Sequence, residues 1–307
     1  MKRITSFIII MVLGTVLLQS CGGNKTTTLM TARESFDIGM AKYENKKYLS
    51  AIEKFQSVIY NFPGDALVDS AQYYLGMSYY HNDDFELAGV EFNRLAVNYP
   101  SSYFFDEAVF MKAVSFFEAT PNNSGLDQSE LSTAINLFID FLIDFPESEY
   151  RNAAEEYLLA ARTRMAQKYY SNGVVYQRIR AYKAAQIYFQ KVIDDYTDTE
   201  FAPDATFNFA LMDLKLKNYI DAQNKFNNFI AVFSDNKLVE DARKYAAESA
   251  FEYCKKVSLD GSSSEADSCW NEFKINYPND DKIKDADKLL QNLKEQKTDE
   301  QGEHAGS

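Results

Sequence analysis

The chain has 307 residues, with 45 acidic side chains against 32 basic ones and a formal net charge of -13. That balance argues against a nucleic-acid partner, because a phosphate backbone is held by clustered Lys and Arg, and it gives little reason to expect broad adhesion to an anionic surface. Six prolines and twelve glycines are few for this length, which suits helices.

The first twenty residues have the three-part form of a secretory signal: Lys2 and Arg3, an apolar run from Phe7 to Leu18, then Gln19-Ser20-Cys21. An apolar run of about twelve residues is too short for a hydrocarbon core that needs about twenty, so a transmembrane anchor is the weaker reading. Leu18-Gln19-Ser20-Cys21 resembles the lipobox of bacterial lipoproteins, which implies cleavage before Cys21 and lipidation of its thiol and amine. The alternative is an ordinary signal with Cys21 left free. Residues 21–31 then read as a lipidated tether, holding a body of helices beside a membrane.

The organising feature is a period of 37. Gly39, Gly76 and Ala113 fall at that interval, as do Ala51 and Ala88, Phe55 and Phe92, and Pro63 and Pro100. The second unit is complete, with Gly76, Tyr79, Phe85, Ala88, Phe92, Leu95 and Pro100. Small residues let two antiparallel helices approach, rings fill the space between pairs, and proline stops the second helix. These offsets resemble the tetratricopeptide (TPR) pattern with about three additional residues per unit. The expected fold is therefore all-α, a tetratricopeptide-like right-handed superhelical solenoid of antiparallel helix pairs.

The third unit is interrupted over roughly 120–130, where Asn122-Asn123-Ser124-Gly125 signals a loop, and resumes at Ala134, Phe138, Phe141 and Pro146. A fourth unit reads Gly173, Tyr176, Tyr182, Ala185, Phe189 and Val192. The fifth reads Ala210, Tyr219, Ala222, Phe226 and Phe229, and residues 150–167 read as a helix between the third and fourth. A weaker sixth carries Ala247, Ala250, Ala266, Trp270, Phe273 and Pro278. The expected organisation is N-terminal repeats over 32–146, C-terminal repeats over 147–234, an additional helical segment over 235–294 and a frayed tail over 295–307.

Most of the 23 Phe and 21 Tyr fall at repeat offsets and are expected in the core. Tyr103-Phe104-Phe105 and Tyr169-Tyr170 lie off those offsets and are the candidates for exposed contact. Cys254 and Cys269 flank a turn near Gly261 and Ser262, so antiparallel helices would bring them level. A disulfide and two buried free thiols both fit that placement. His81 and His304 belong to no metal-binding or catalytic spacing, and no nucleophile elbow, phosphate loop or CxxC pair occurs. No cofactor, no metal and no catalysis are expected.

A lipidated Cys, five helical repeats and an interrupted third unit together resemble the BamD family, the lipoprotein subunit of the machine that inserts β-barrels into the bacterial outer membrane. The resemblance runs from Cys21 to about Ser234. It is carried most specifically by Pro146-Glu147-Ser148-Glu149-Tyr150, Ala153-Ala154, Arg164-Met165-Ala166, Tyr169-Tyr170, Tyr176, Ala181-Tyr182-Lys183-Ala184-Ala185, Val192 and Asp195-Tyr196. It implies a non-catalytic scaffold, lipid-anchored to the outer membrane and facing the periplasm. Its N-terminal repeats would receive unfolded outer membrane protein precursors, and its C-terminal repeats would dock on a BamA-type barrel-inserting subunit. The family's docking arginine corresponds to Ile179, so the contact is expected to pass to its neighbours Arg178 and Arg180, with Lys183 completing a basic spot. Plain solvated surface charge is the other reading of those three. The alternative function is a periplasmic repeat lipoprotein that coordinates cell-wall or division enzymes, and the block from Pro146 to Tyr196 argues against it.

Overall fold

In the computed structural model, residues 30–123, 125–260 and 263–291 are described. Cys21, His304 and the 295–307 tail lie outside them. Among the described residues the chain forms twelve helices: α1 (Ala32–Glu44), α2 (Tyr48–Asn61), α3 (Val68–His81), α4 (Phe85–Asn98), α5 (Phe105–Ala119), α6 (Ser129–Asp144), α7 (Arg151–Arg178), α8 (Tyr182–Asp195), α9 (Phe201–Lys215), α10 (Tyr219–Val232), α11 (Val239–Asp260) and α12 (Ser263–Asn276). A further helical stretch covers 283–291. Each helix packs chiefly on its neighbours in sequence, giving a tetratricopeptide-like solenoid of antiparallel pairs.

Each pair closes around one buried ring from its second helix. Phe55, Phe92, Phe138, Phe189, Phe226 and Trp270 are all 0% exposed. In three pairs the ring presses on a helical glycine of the first helix: Gly39 under Phe55, Gly76 under Phe92 and Gly173 under Phe189. None of the described glycines has positive φ, so these three serve close approach rather than an unusual backbone.

Two turns alternate along the stack. Within a pair, the turn places one non-glycine residue in the left-handed region: Lys46, Asp83, Arg180 and Lys217, with φ between 57° and 65°. The next N–H closes back on the helix, as Lys47 does to the Lys42 carbonyl at 2.8 Å and Ala181 to that of Tyr176 at 2.9 Å. This is the Schellman arrangement, here without its usual glycine. Between most pairs, an Asp, Ser or Asn closes a turn just ahead of the following helix. Asp65 Oδ1, Ser102 Oγ, Ser148 Oγ, Asn236 Oδ1 and Asp280 Oδ1 each accept from the N–H two residues on. An alanine then lies six residues beyond that turn residue, fully buried in each case: Ala71, Ala108, Ala154, Ala242 and Ala286. The stack therefore starts a seventh first helix at 283, whose Leu289 and Leu290 close the last core cluster.

The third pair departs from the rule. Its turn is replaced by the loop 120–128, held by Arg164 from α7, which donates to the carbonyls of Phe117, Thr120 and Pro121 and lies over the Phe117 ring at 4.8 Å. Gln128, itself buried, holds the loop from inside through the carbonyls of Pro121 and Asn123. Helix α7 is the other departure. In α3, α5, α9 and α11 the small residue follows the buried alanine by five positions, as Gly76 follows Ala71; in α7, Gly173 follows Ala154 by nineteen. The surplus is about four helical turns, or about 21 Å of rise. That length lets α7 close the third pair through Ala154, Ala161 and Met165 and open the fourth through Gly173.

The sixth unit, weak in sequence, is a full pair. Phe251, Trp270 and Phe273 form its centre, and the Trp270 indole N–H donates to Ser258 Oγ at 2.9 Å. Cys254 and Cys269 are joined by a disulfide, with Cα atoms 5.4 Å apart.

Candidate partner-binding surfaces

Two surfaces are built by this stack. The first lies on the initial three first helices, where two ring columns repeat at 37 and stand seven residues apart: Phe36, Tyr73, Phe110, and Tyr43, Tyr80, Phe117. Seven residues is two helical turns, so both columns share a face. The inner column is buried and the outer one half-buried. Tyr43 packs edge-on to Tyr48 and Tyr74, Tyr48 stacks on His81 at 5.3 Å, and Tyr73 stacks on Phe104 at 4.2 Å. The Tyr73 hydroxyl donates to Glu107 Oε1 at 2.6 Å.

Burial pushes the Tyr43 and Tyr80 hydroxyls up to about 12, reinforced for Tyr43 by neighbouring Tyr48 and for Tyr80 by Tyr157. Burial and the Glu107 acceptor push Tyr73 up as well. All three therefore remain neutral. What the wall leaves accessible is the half-buried outer column, where Tyr43 and Tyr80 offer ring surface and neutral hydroxyls, which suits apolar and aromatic side chains. Burial also lowers the His81 pKa, helped by Lys46, so its imidazole is biased toward the neutral form. The sequence reading missed this wall as a unit, although the period-37 columns carried the signal.

The structure divides the candidates for exposed aromatic contact. Tyr103 is 88% exposed, but Phe104 and Phe105 are half-buried, Phe104 stacked on Tyr73 and Phe105 against Phe145 at 5.7 Å. Phe104 is the plug between turn and helix, the place held by Leu67 and Tyr150 in neighbouring turns. Tyr169 and Tyr170 are also drawn inward. Tyr169 lies against Tyr196, and Tyr170 lies against Phe189 and Phe201 with its hydroxyl accepting from Asn208. Long α7 carries them into the core of the fourth pair.

The second surface is the α7–α8 turn. Arg178, Ile179, Arg180 and Lys183 are all exposed there. Arg178, Arg180 and Lys183 form no ion pair among the described residues. Val175, Ile179 and Ile187 add exposed apolar area around them, Ile179 being 66% exposed. Arg180 is the left-handed residue of its turn, so the backbone itself sets where that guanidinium leaves the surface. Some other exposed cations are paired, Lys191 with Asp195 and Arg151 with Glu155, whereas Lys46, Lys47, Lys217 and Lys237 are exposed and likewise unpaired among the described residues, so it is the grouping of three cations around exposed Ile179 that marks this turn. An apolar patch carrying three unpaired cations can seat a partner bearing carboxylates around an apolar ridge.

Among the described residues no group of three or more His, Cys, Asp or Glu could hold a metal, and no helix is long and apolar enough to cross a membrane.

A family model described as YfiO, outer membrane lipoprotein, matches residues 29–210, which is more than half of the chain. No curated protein matches. Solved structures similar to this chain include a tetratricopeptide repeat protein from Parabacteroides merdae, at 15% identity and TM-score 0.31, covering 85% of this chain and 98% of that one. A repeat protein from Bacteroides fragilis is similar at 13% identity and TM-score 0.36, with 87% and 99% covered. The TPR2AB domain of yeast Sti1 gives 13% identity and TM-score 0.38, with 86% and 98% covered.

Proposed function

We propose, from the premise that this chain belongs to the YfiO (BamD) family of outer membrane lipoproteins, that it is the scaffold on which an outer membrane β-barrel assembly machine receives its precursors. The chain is a non-catalytic repeat scaffold. In this reading Cys21 carries the lipid, placing the stack on the periplasmic face of the outer membrane. The half-buried Tyr43 and Tyr80 of the outer column, backed by the buried inner rings, receive apolar side chains of an unfolded precursor. The α7–α8 turn docks on the periplasmic part of a BamA-type subunit. The observation that carries the reading is the matched family together with the unpaired Arg178, Arg180 and Lys183 around exposed Ile179.

Mild detergent extraction tests it. The lipidated chain should co-purify with a large barrel-containing subunit, and the triple variant R178E/R180E/K183E should lose that subunit by at least tenfold while keeping its helix content. Recovery of the monomer alone under several gentle conditions would overturn the assembly role, as would a depletion that disturbs septation and leaves outer membrane barrels at normal levels.

A further inference from the structure

The first two between-pair turns lie at the edge where the tether meets the stack. Helix α2 runs back along α1, and Ala32 and Val58 share one core cluster, so Thr31 at the start of α1 stands beside Tyr60 in the last turn of α2. The second between-pair turn joins the same edge directly, since Ser102 Oγ donates to Asp69 Oδ2 at the start of α3, 2.8 Å away. Tyr60 and Val97 occupy one register position, five residues past the buried rings Phe55 and Phe92, and are 67% and 69% exposed. Tyr103, in the second turn, is more exposed still, and Pro63 and Pro100 are exposed as well.

This edge is short of charge in a chain whose net charge is -13: residues 60–67 and 97–105 contain one charged side chain, Asp65. The equivalent stretch 143–151 holds Asp144, Glu147, Glu149 and Arg151, and 194–200 holds Asp194, Asp195, Asp198 and Glu200. Ile143, Val232 and Ile275 are also exposed at the ends of their helices, but charged turns follow each of them. The opposite edge of the first two pairs is charged too, with Glu44, Lys46 and Lys47 at one turn and Asp83, Asp84 and Glu86 at the next. Charges flanking the bare stretch are engaged: Arg33 with Asp37 at 3.5 Å, Glu34 in the cap of α1, Arg94 with Glu91, and Asp106 with the Ser148 hydroxyl.

We infer that this edge, centred on Tyr60, Val97 and Tyr103, rests on the lipid headgroup surface of the membrane that holds the anchor. The inference rests on the lipid at Cys21 read above, and adds the face that turns toward the bilayer. About ten residues join Cys21 to Thr31, a reach of at most about 35 Å. The anchor therefore keeps this end of the stack near the surface, where a weak contact suffices to orient it. Tyrosine suits the headgroup region, its ring at the acyl boundary and its hydroxyl wet, and the scarcity of charge removes the desolvation that would oppose contact. The acidic third and fourth turns set where the contact ends. Tyr43 and Tyr80, at the far ends of α1 and α3, are left facing away from lipid.

The test places the lipidated chain in vesicles of phosphatidylethanolamine and phosphatidylcholine that include a lipid with a nitroxide on its headgroup. An environment-sensitive fluorescent amino acid replaces Tyr60, Val97, Tyr103 or, on the opposite edge, Leu87, one position at a time. The first three probes should be quenched at least threefold more than the probe at Leu87. In the variant V97E/Y103E, changed only at exposed positions and checked for unaltered helix content, quenching at position 60 should fall to the Leu87 level. Flotation with the vesicles reports the anchor separately: a chain that does not float loses the anchor and this placement with it. A floating chain quenched equally at both edges, or quenched regardless of the variant, overturns the placement alone. Emission that follows protein density and not nitroxide content would mark a second copy on this edge, and would overturn it as well.

Discussion

A methyl group added at Gly173 would sit 2.6 Å from Cε1 of Phe189, and at Gly76 it would sit 2.8 Å from the same atom of Phe92. Both rings are fully buried and have no room to yield. Overpacking costs about 1–3 kcal/mol, with a 2.6 Å contact against a fully buried ring at the upper end, about 2–3 kcal/mol, and the better helix propensity of alanine offsets about 1 kcal/mol. Urea denaturation should therefore show G173A less stable by about 1–2 kcal/mol, with Phe189→Leu recovering part of the loss in the double variant. Gly64→Ala, with nothing within 4 Å of the new methyl, should change little; equal stability of G173A and the wild type would contradict the packing account. His81 gives the pH prediction. Its folded pKa lies below the ordinary 6.5, first through burial beside Tyr43, Tyr48 and Tyr80 and then through Lys46. The unfolded chain binds a proton that the folded chain resists, so this contribution is intact above about 6.5 and is lost as pH falls through the lower folded value. The thermal midpoint should decline shallowly from pH 7 to 5, less so in His81→Phe. A steeper decline in the variant would refute the assignment.

Among elements, the loop 120–128 and the sixth pair each carry one fastening that a single change removes. Arg164 supplies three carbonyl contacts and a ring contact to the loop. Arg164→Ala leaves Gln128 as the main remaining hold, so limited proteolysis should cut between residues 120 and 128 several-fold faster, with α5 and α6 still folded. An unchanged cleavage rate would mean that Gln128 suffices. The disulfide between Cys254 and Cys269 closes a fifteen-residue interval, a constraint worth about 3 kcal/mol in the chain-entropy account. Reduction should raise hydrogen exchange in α11 and α12 first. Protection over α1–α6 should be unaffected, because each pair contacts only its neighbours; simultaneous loss along the whole chain would show tighter coupling than nearest-neighbour stacking allows.

For the whole molecule, the period of 37 was legible because each pair repeats one packing problem: a small residue, a ring beneath it, and a stop. Gly39, Gly76 and Gly173 announced close approach, and the six buried rings stood at the expected offsets. The between-pair turns were half-visible, since the turn-closing Asp, Ser and Asn recur with a buried alanine six residues on, yet they read only as three surplus residues. The within-pair turns gave no signal at all. Lys46, Asp83, Arg180 and Lys217 occupy a left-handed conformation that glycine would advertise, and their neighbours impose it.

The amino-acid sequence by itself determined the all-helical class, the pairing of helices and the identity of the core rings, because those follow from local periodicity and side-chain size. Only the tertiary structure decided which rings outside the repeat stay open. Tyr103 projects while Phe104 plugs a turn, and Tyr169 and Tyr170 are carried inward by a helix about four turns longer than the first helices of most other pairs. It also decided that three cations at one turn lack partners. Exposure, pairing and cavities depend on what arrives from distant positions in the chain, and a one-dimensional pattern does not contain that information.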